Sequence, residues 1–426
     1  MKKITLTICY FFCAAIFAQQ ATVNTLEITG NKKNKTSFIK KIVSVEEGAV
    51  LDSLQIAKDI DWITRLPSIA KATYKVTPVN ENSYNVTYDI IENLTLIPTT
   101  SIWTSNNDEF AYRIGLTEFN TFGQNIGIGA FYQQDIYDSF GASIRAPFAF
   151  SKKWGFELNF QDLVSEEPVF FENSTADYKY KNTSYEALAS YQLNYENNLR
   201  FGVTYFKERY EYKQGVVPDD IPLELEANKI AYKVLYTFNN VKFEYYLLSG
   251  FQSLLNIQYV RGTDENLPSF VVGWNDFLYY KRLGTMGNWA SRLRIGAATN
   301  DETPFAPFAV DNNLNVRGVG NSIDRGTAAI VFNTEYRQTL LEKGWFVLQG
   351  NAFVDAGSWR EPGGELSDLL SEKNVRVFPG VGLRFIHKKI FNATFRIDYG
   401  YGLVDKAAKK AGNQSQGIVF GIGQYF

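Results

Sequence analysis

Apolar and polar residues alternate with a period of two through most of this chain, from residue 101 to residue 426. In one segment, polar residues stand between apolar ones at Ile230, Tyr232, Val234, Tyr236 and Phe238. A second segment repeats the pattern with Phe395, Ile397, Tyr399 and Tyr401, which alternate with Arg396, Asp398 and Gly400. Successive side chains of a β-strand point to opposite faces, so each segment has one apolar and one polar face. The pattern predicts a chain built mainly of β-strands.

Alternation alone fits two architectures, a soluble sandwich with its apolar faces turned inward and a membrane barrel with them turned toward lipid. Strand length favours the barrel. Segments 198–213 and 326–340 are longer than the ~5 to 6 residues of soluble strands and long enough for the ~9 to 11 of barrel strands. Many segments begin or end with an aromatic residue, as interfacial girdles do. From Phe110 to Phe426 we count about sixteen strands, an even number as in bacterial single-chain barrels.

The first eighteen residues have the composition of a secretory signal. Two lysines precede an apolar run, residues 4–17, which ends at the small residue Ala18. A retained membrane anchor is disfavoured, because the run is shorter than the ~20 residues that a spanning helix needs. Both cysteines, Cys9 and Cys13, lie in this segment. We therefore expect the mature chain to have no disulfide, cysteine nucleophile or thiolate metal site.

Composition and motifs argue against several classes of function. The 43 basic and 45 acidic residues are scattered along the chain, so no nucleic-acid partner is indicated. His387 is the single histidine, and a solvated turn residue is favoured there over a catalytic triad. The acidic residues between Glu166 and Asp177 predict a solvated extracellular loop rather than a calcium site. No Walker, paired-histidine or dinucleotide motif is found, so we expect no enzymatic activity, cofactor or metal.

Residues 19–98 lack this alternation and predict a small α+β domain. A strand at residues 23–29 is followed by two short helices, whose predicted caps are Thr36 or Ser37 and Asp52 or Ser53. Apolar residues recur at helical spacing at Phe38, Ile39, Ile42, Val43, Ile56, Ile60 and Ile63. Strands at 72–79 and 84–91 follow, and the second has Tyr84, Val86, Tyr88 and Ile90 on one face. The predicted order is β-α-α-β-β.

This order, the turn Ile28-x-Gly30-Asn31 and the closing Val86-x-Tyr88-x-Ile90-x-Glu92 resemble a polypeptide-transport-associated (POTRA) domain. Another small α+β domain is the alternative. A POTRA domain implies a periplasmic location and an exposed sheet edge, which can bind an extended polypeptide as an added strand. We expect this client-binding edge on the strand that carries Tyr84, Val86, Tyr88 and Ile90.

The most informative segment is the predicted loop at residues 301–324 with the two strands after it. The loop contains Val316-Arg317-Gly318-Val319, the first strand contains Glu335-Tyr336-Arg337, and the second ends with Phe353-Val354-Asp355-Ala356-Gly357. This order resembles the outer-membrane superfamily of BamA insertases, TamA and two-partner secretion transporters. The resemblance implies that the loop folds into the barrel lumen and that Arg317 pairs with Asp355, with Gly318 permitting the tight loop. Val319 stands where the family usually has an aromatic residue.

Strand parity supports this pairing without the resemblance. It places one set of side chains toward lipid: Ile330, Phe332, Tyr336, Leu348, Ala352 and Val354. It places the other set toward the lumen: Asn333, Glu335, Arg337, Gln349, Asn351 and Asp355. In a confined lumen, Arg317 can bind a carboxylate in a bidentate pair that lysine cannot form. Glu335 is a second candidate acceptor. Arg-Gly and Asp-x-Gly are also common loop sequences, so the predicted pairing depends on the order of the motifs along the chain and not on either motif alone.

The final residues, Gly421-Ile422-Gly423-Gln424-Tyr425-Phe426, resemble the β-signal that barrel insertases read. Gln424 stands where an apolar residue is more usual. Together the resemblances cover essentially the whole chain after the signal. They predict a signal peptide at 1–18, a single periplasmic POTRA domain at 19–98 and an outer-membrane antiparallel barrel of the bacterial surface antigen type at 99–426.

The function that the resemblance implies is assistance in inserting or translocating polypeptides, or alternatively lipids, at the outer membrane. The expected partners are outer-membrane lipid, an extended client polypeptide and other envelope assembly proteins. A client would leave through the lumen or through the seam between a first strand near Phe110 and a last strand near Phe426. One POTRA domain is fewer than in the named relatives, which argues against the central insertase role. A structural subunit of an envelope complex is the main alternative. A passive pore ranks last, because porins lack both the POTRA domain and the loop motif.

Overall fold

The computed structural model describes residues 20–104, 110–171, 174–219, 221–263, 267–301, 303, 306–310, 315–319, 324–388, 390, 394–406, 416–423 and 425–426. The predicted signal with Cys9 and Cys13 lies outside the described residues, and so does Gln424. None of the helices in the described part of the chain is both long and apolar enough to cross a membrane.

Two helices packed on a three-stranded sheet form the N-terminal domain, in the predicted order β-α-α-β-β. Its elements are β1 (Thr22–Thr29), α1 (Thr36–Ile42), α2 (Ser53–Thr64), β2 (Ile69–Asn80) and β3 (Ser83–Glu92). Asp52 caps α2 by accepting hydrogen bonds from the backbone N–H groups of Leu54 and Gln55, at 2.8 and 3.3 Å. The predicted cap of α1 was wrong, because the helix begins after Lys35 without a side-chain cap. The predicted apolar positions meet in one core, which includes Phe38, Ile39, Ile42, Val43, Ile56, Ile63, Val86, Tyr88 and Ile90.

β3 is the central strand of this sheet. It pairs in parallel with β1 and antiparallel with β2, so the strand order is β1-β3-β2. The prediction of a client-binding edge at Tyr84, Val86, Tyr88 and Ile90 is therefore wrong. The backbone of β3 is hydrogen-bonded on both sides, and Val86, Tyr88 and Ile90 are buried in the core. The last strand of the domain, β3, inserts between the other two, which strand order along the chain could not reveal.

The residues of the two POTRA-like motifs meet where β1 ends. Gly30 has a φ of +78°, and a Cβ there would lie 2.1 Å from the carbonyl oxygen of Ile90. Glu92 accepts hydrogen bonds from the backbone N–H groups of Lys33 and Asn34, at 3.0 and 2.8 Å. Burial by itself would raise the pKa of Glu92, but these hydrogen bonds outweigh it and lower the pKa. The Glu92 carboxylate thus holds the loop between β1 and α1.

The rest of the described chain is almost entirely strand. The elements are β4 (Leu96–Thr104), β5 (Phe110–Thr121), β6 (Ile126–Gln134), β7 (Asp138–Ala146), β8 (Trp154–Phe170), β9 (Thr175–Gln192), β10 (Asn197–Gly215), β11 (Glu224–Asn239), β12 (Lys242–Glu244), β13 (Leu247–Gly262), β14 (Phe270–Leu283), β15 (Gly287–Ala298), β16 (Phe308–Val310), β17 (Asp324–Gly326), β18 (Ala328–Lys343), β19 (Phe346–Arg360), β20 (Val375–His387), β21 (Thr394–Tyr401), β22 (Val404–Asp405) and β23 (Gln416–Ile422). Two short 3-10 helices, Leu366–Leu370 and Glu372–Asn374, lie between β19 and β20.

Sixteen of these described strands form an antiparallel barrel in which each pairs with its neighbours in the sequence and β23 closes onto β4. This confirms the predicted barrel and strand number. The short strands β12 and β22 extend the wall, and β16 pairs with β17 in a separate hairpin.

The apolar face of the barrel wall points outward. Tyr232 and Val234 on β11 are 50% and 45% exposed, and Phe395 and Tyr399 on β21 are 44% and 41% exposed. Asp398, between the last two, is fully buried on the inner side. In a soluble sandwich the apolar residues would be the buried ones. Because the apolar side chains are exposed on the outer face and the polar side chain is buried inside, the barrel is of the membrane type.

The barrel begins earlier than predicted. Alternation was expected from residue 101 and the first seam strand near Phe110, but the first barrel strand, β4, starts at Leu96. Pro98 and the threonines that follow it conceal this strand in the sequence, because they interrupt the apolar alternation. The seam strands are thus β4 and β23.

Two further expectations were wrong. The acidic segment from Glu166 to Asp177 is not simply a solvated loop, because its ends belong to β8 and β9. Strands β8, β9 and β10 have 17, 18 and 19 residues, so they extend beyond the ~9 to 11 that span a membrane.

The second wrong expectation concerns His387, which was predicted to be a solvated turn residue. It is instead the half-buried last residue of β20, and its ring stacks on Trp345 with a centroid distance of 4.5 Å.

Candidate functional site

The long loop between β15 and β18 turns back into the barrel. The hairpin of β16 and β17 brackets it, and residues 315–319 are all buried. Val316 and Val319 pack with Val310, Trp359 and Phe378 in one apolar cluster. Val319 therefore contributes to the packing of the loop tip although it is not aromatic.

Arg317 lies at the centre of the site and binds two carboxylates of the barrel wall. Its Nε and Nη2 donate to Asp355 on β19 at 2.8 and 3.0 Å, and its backbone N–H donates to the same carboxylate at 3.0 Å. Its Nη1 donates to Glu335 on β18 at 2.7 Å. The Phe353 ring lies 3.6 Å from Arg317 Cζ. The structure thus brings together Arg317 and both predicted acceptors, and none of their side chains is solvent-exposed.

Glu335 has more donors than the sequence indicated. Besides Arg317, it accepts hydrogen bonds from Arg337 Nε at 2.5 Å and from Arg384 Nη2 at 2.6 Å. Arg337 had been placed in the lumen by parity, but Arg384 on β20 was not singled out. Alternation along β20 could have placed Arg384 in the lumen, because its neighbours Leu383 and Phe385 belong to the outer face.

A third carboxylate, Asp398 on β21, also faces Arg317. Its Oδ1 lies 3.6 Å from Arg317 Nη1, and its Oδ2 accepts a hydrogen bond from Arg396 Nη1 at 3.1 Å. Both residues appeared in the alternating pattern but were not predicted as site residues. Together these side chains form what we call the arginine–carboxylate cluster: Arg317, Glu335, Arg337, Asp355, Arg384, Arg396 and Asp398.

Glycines let the loop backbone approach the wall closely. Gly318 has a φ of +97°, which is unfavourable for residues with a Cβ. A Cβ on Gly400 of β21 would lie 2.2 Å from the carbonyl oxygen of Arg317, and one on Gly357 of β19 would lie 2.7 Å from a side chain of β16. A Cβ on Gly417 of β23 would lie 3.2 Å from the Gly318 carbonyl oxygen. Gly357 was part of the predicted strand motif, whereas the contacts of Gly400 and Gly417 depend on a loop remote in sequence.

The predicted β-signal residues lie on and after the last strand. Gly421 belongs to β23, and the chain leaves the wall at Gly423, which has a φ of +95°. Tyr425 and Phe426 then turn into the barrel. Phe426 packs against a buried apolar cluster that includes Leu278 and Tyr280. The final Phe therefore does not lie on the strand itself or on its outer face.

Beside the cluster, the lumen is open. A cavity of about 570 Å³ lies along the inner faces of the strands from β4 to β13. Its polar lining includes Arg113 and the ion pair of Glu186 with Lys233, whose Nζ and Oε2 atoms are 2.5 Å apart. The loop and its cluster thus fill one side of the barrel, and a polar space remains on the other.

The N-terminal domain lies against the turns at one end of the barrel. Arg65, just after α2, donates to the backbone carbonyls of Tyr195 and Asn239 at 2.6 and 2.9 Å. The Trp62 ring packs on Tyr195 and Phe148, with centroid distances of 5.4 and 5.9 Å. A cavity of about 410 Å³ lies between the end of α2 and the lumen. The helices of the domain therefore cover part of this mouth.

A buried carboxylate joins the two units. Asp59 on α2 accepts hydrogen bonds from the backbone N–H groups of Ser44 and Val45, at 3.0 and 2.9 Å, and from the Tyr88 hydroxyl at 3.0 Å. The hydroxyl of Tyr195, from the turn between β9 and β10, binds the same carboxylate. Burial raises the pKa of Tyr195, and the neighbouring Asp59 adds to this shift. Tyr195 therefore stays a neutral donor at physiological pH.

The fold and the site together define a class: a sixteen-stranded antiparallel barrel of membrane type, with a loop pinned inside by a buried arginine and an α+β domain at one mouth. No family model matches the sequence.

Solved structures of the same fold were found by structural comparison. The chain is similar to BamA from Haemophilus ducreyi lacking POTRA domains 1–3, with 15% identity over 95% of this chain and 84% of that one and a TM-score of 0.57. It is also similar to CdiB from Acinetobacter baumannii, with 13% identity over 95% and 74% of the two chains and a TM-score of 0.62. CdiB from Escherichia coli gives 13% identity, coverage of 94% and 76% and a TM-score of 0.65. The chain therefore has the barrel fold of BamA and CdiB.

Proposed function

We propose that this protein is an outer-membrane barrel that assists the insertion or translocation of polypeptides, with its N-terminal POTRA-like domain in the periplasm. One observation carries the proposal: Arg317 is bound to Asp355 and Glu335 inside a barrel with the fold of BamA and CdiB. This is the loop arrangement that the sequence resemblance implies. A lipid client is the alternative within the same proposal.

The open edge of β2 is the best candidate for client capture. β2 pairs with β3 on one side, and most of residues 71–80 are exposed. The outer edge of β1 is covered by its own chain, because Val23 N–H donates to Ala49 O at 2.9 Å and Leu51 N–H to Ala21 O at 2.8 Å. An extended polypeptide could add to β2 by backbone hydrogen bonding as far as Pro78, which lacks a donor.

The loop cluster would regulate passage. Residues 315–319 fill one side of the lumen, and their release would widen the polar cavity beside them. The guanidinium of Arg317 is held by several charge-assisted hydrogen bonds, so release would require a competing interaction or a change in the wall. In this proposal the cluster keeps the loop in place until a client engages.

Depletion in the native host tests the transport function. We expect loss of the protein to change the profile of outer-membrane or secreted proteins. Photocrosslinking locates the client: a photoreactive residue at Lys75 on β2 should capture polypeptide, whereas one at the exposed Lys58 on α2 should not. Unchanged protein profiles with reduced solute permeability alone would overturn the transport proposal in favour of a pore.

A second candidate is an accessory subunit of an envelope complex. The docking of the N-terminal domain across the barrel mouth favours it, because a covered mouth leaves less room for a passing client. Purification of the protein from its native host, under conditions that keep bound partners attached, distinguishes the two candidate functions. A stable stoichiometric complex, together with unchanged client handling after Arg317 is replaced, would support the accessory role.

A further inference from the structure

The segment after the last strand contacts the loop arginine directly. After Gly423 the chain turns inward, and the Tyr425 ring lies 4.3 Å from Arg317 Cζ. The same ring lies 4.8 Å from Arg396 Cζ, and Tyr425 is only 7% exposed. Two aromatic rings therefore lie over the Arg317 guanidinium, Phe353 from the wall and Tyr425 from the segment after β23. A desolvated guanidinium is attracted to the face of such a ring.

A second contact joins the loop to β23. The backbone of Gly318, next to Arg317, passes so near β23 that a Cβ on Gly417 would lie 3.2 Å from the Gly318 carbonyl oxygen. The loop tip thus lies close to β23 itself as well as to the ring that follows it. β23 is also the strand that closes the barrel onto β4.

We infer that Tyr425 is a positioning residue for the loop, which couples retention of residues 315–319 in the lumen to the position of β23. When Tyr425 and Phe426 lie inside the barrel, the Tyr425 ring covers Arg317 and favours the pinned loop. A movement of β23 that withdraws these two residues removes the ring and weakens the hold on the loop. Because such coupling is reciprocal, loss of Arg317 must also loosen Tyr425 and Phe426. The inference rests on the loop lock of the proposed function, but not on the identity of any client.

Loop release can be measured without a client. We suggest Val319→Cys as the reporter in the full chain, because Val319 is buried in the loop and the other two cysteines lie in the predicted signal. The rate of labelling by a maleimide reports how often the loop leaves its site. Tyr425→Leu keeps an apolar side chain but removes the ring face, and it should raise this rate roughly tenfold. Tyr425→Phe keeps the ring face and should stay within about twofold of the parent.

Three outcomes decide the matter, each with folding checked by the heat-dependent gel mobility of the barrel. Tyr425→Leu with the parent's labelling rate overturns the inference. Equal acceleration by Tyr425→Leu and Tyr425→Phe also overturns it, because a merely structural role would not distinguish them. We expect Tyr425→Leu to accelerate labelling in the parent but to cause no further acceleration in a protein that already carries Arg317→Met. This result would show that the effect of Tyr425 depends on Arg317.

The reverse direction gives an independent measurement. A reporter at Phe426→Cys follows the last two residues of the chain, and Arg317→Met should raise its labelling rate by a similar factor. Arg200→Met is the matched control, because Arg200 pairs with Glu157 at 2.8 Å in another part of the wall. Equal labelling in the parent and in Arg317→Met would overturn the coupling. Both measurements use the purified full chain without any client, so their failure is distinguishable from failure of the transport proposal.

Discussion

Arg317 combines a high desolvation cost with a nearly complete set of partners. Removing a guanidinium from water is unfavourable unless its donors are satisfied, and here it donates three hydrogen bonds to Asp355 and Glu335, while the backbone N–H of Arg317 donates a fourth to Asp355. Its planar fork fits Asp355 in a way that an ammonium group would not. In this position of the loop, the buried guanidinium is matched by acceptors that it would lose on leaving the lumen.

We predict that Arg317→Met destabilises the barrel and increases its conductance. The change leaves Asp355 without its bidentate partner, and breaking a buried ion pair costs about 3 to 5 kcal/mol. The temperature of the folded-to-unfolded gel shift should fall, and single-channel conductance in planar bilayers should rise. Arg200→Met is again the control, because that arginine is partly exposed and does not contact the loop. Identical conductance and thermal stability in Arg317→Met and the parent would contradict the lock.

At the scale of elements, local chemistry explains the helix starts and turns better than it explains strand neighbours. Asp52, one of the two caps predicted from the position before the apolar helical pattern, caps α2, and Ser53 is its first residue. Glu92, at the end of β3, fixes the loop before α1 through backbone hydrogen bonds over a long separation in the sequence. Those contacts exist because β3 lies beside β1, which the order of elements did not reveal.

We predict that Glu92 makes the N-terminal domain sensitive to acid. The folded-state pKa of Glu92 is lowered, so its stabilising effect is present above its unfolded pKa of about 4.3 and is lost as the pH falls through the lower folded value. Glu92→Gln should therefore destabilise the domain at neutral pH and show a smaller additional loss below about pH 4. Hydrogen exchange of α1, measured across this pH range, checks the result. Parallel pH profiles for the two proteins would contradict it.

At the scale of the whole molecule, the position of the N-terminal domain is as consequential as the barrel itself. Its second helix presents Asp59, Trp62 and the following Arg65 to barrel turns that are far away in the sequence. Asp59 is buried, and its carboxylate accepts hydrogen bonds from both the domain and the barrel. Docking is therefore part of the folded structure of the domain.

We predict that Tyr195→Phe loosens this docking while the barrel stays folded. The variant keeps the ring that packs on Trp62 but removes the donor to Asp59, and a hydrogen bond to a charged group contributes about 1.5 to 3 kcal/mol. Hydrogen exchange in α2 should accelerate by roughly tenfold or more. Tyr185→Phe on the exposed outer wall is the control. Unaltered exchange in α2 would show that Tyr195 does not hold the domain.

The sequence by itself determined the class of fold and the central pair of the site. Period-two alternation, strand length and aromatic content predicted the barrel, because these properties depend on each strand alone. The resemblance of the motif order implied that Arg317 meets Asp355, and parity placed Asp355 and Glu335 toward the lumen, because facing depends on local alternation. Only the tertiary structure decided which sheet edge is open, where the first barrel strand begins, and that Arg384, Asp398, Gly400 and Tyr425 join the site. These features depend on which strands become neighbours and where a remote loop comes to rest, and periodicity within one strand carries no information about either.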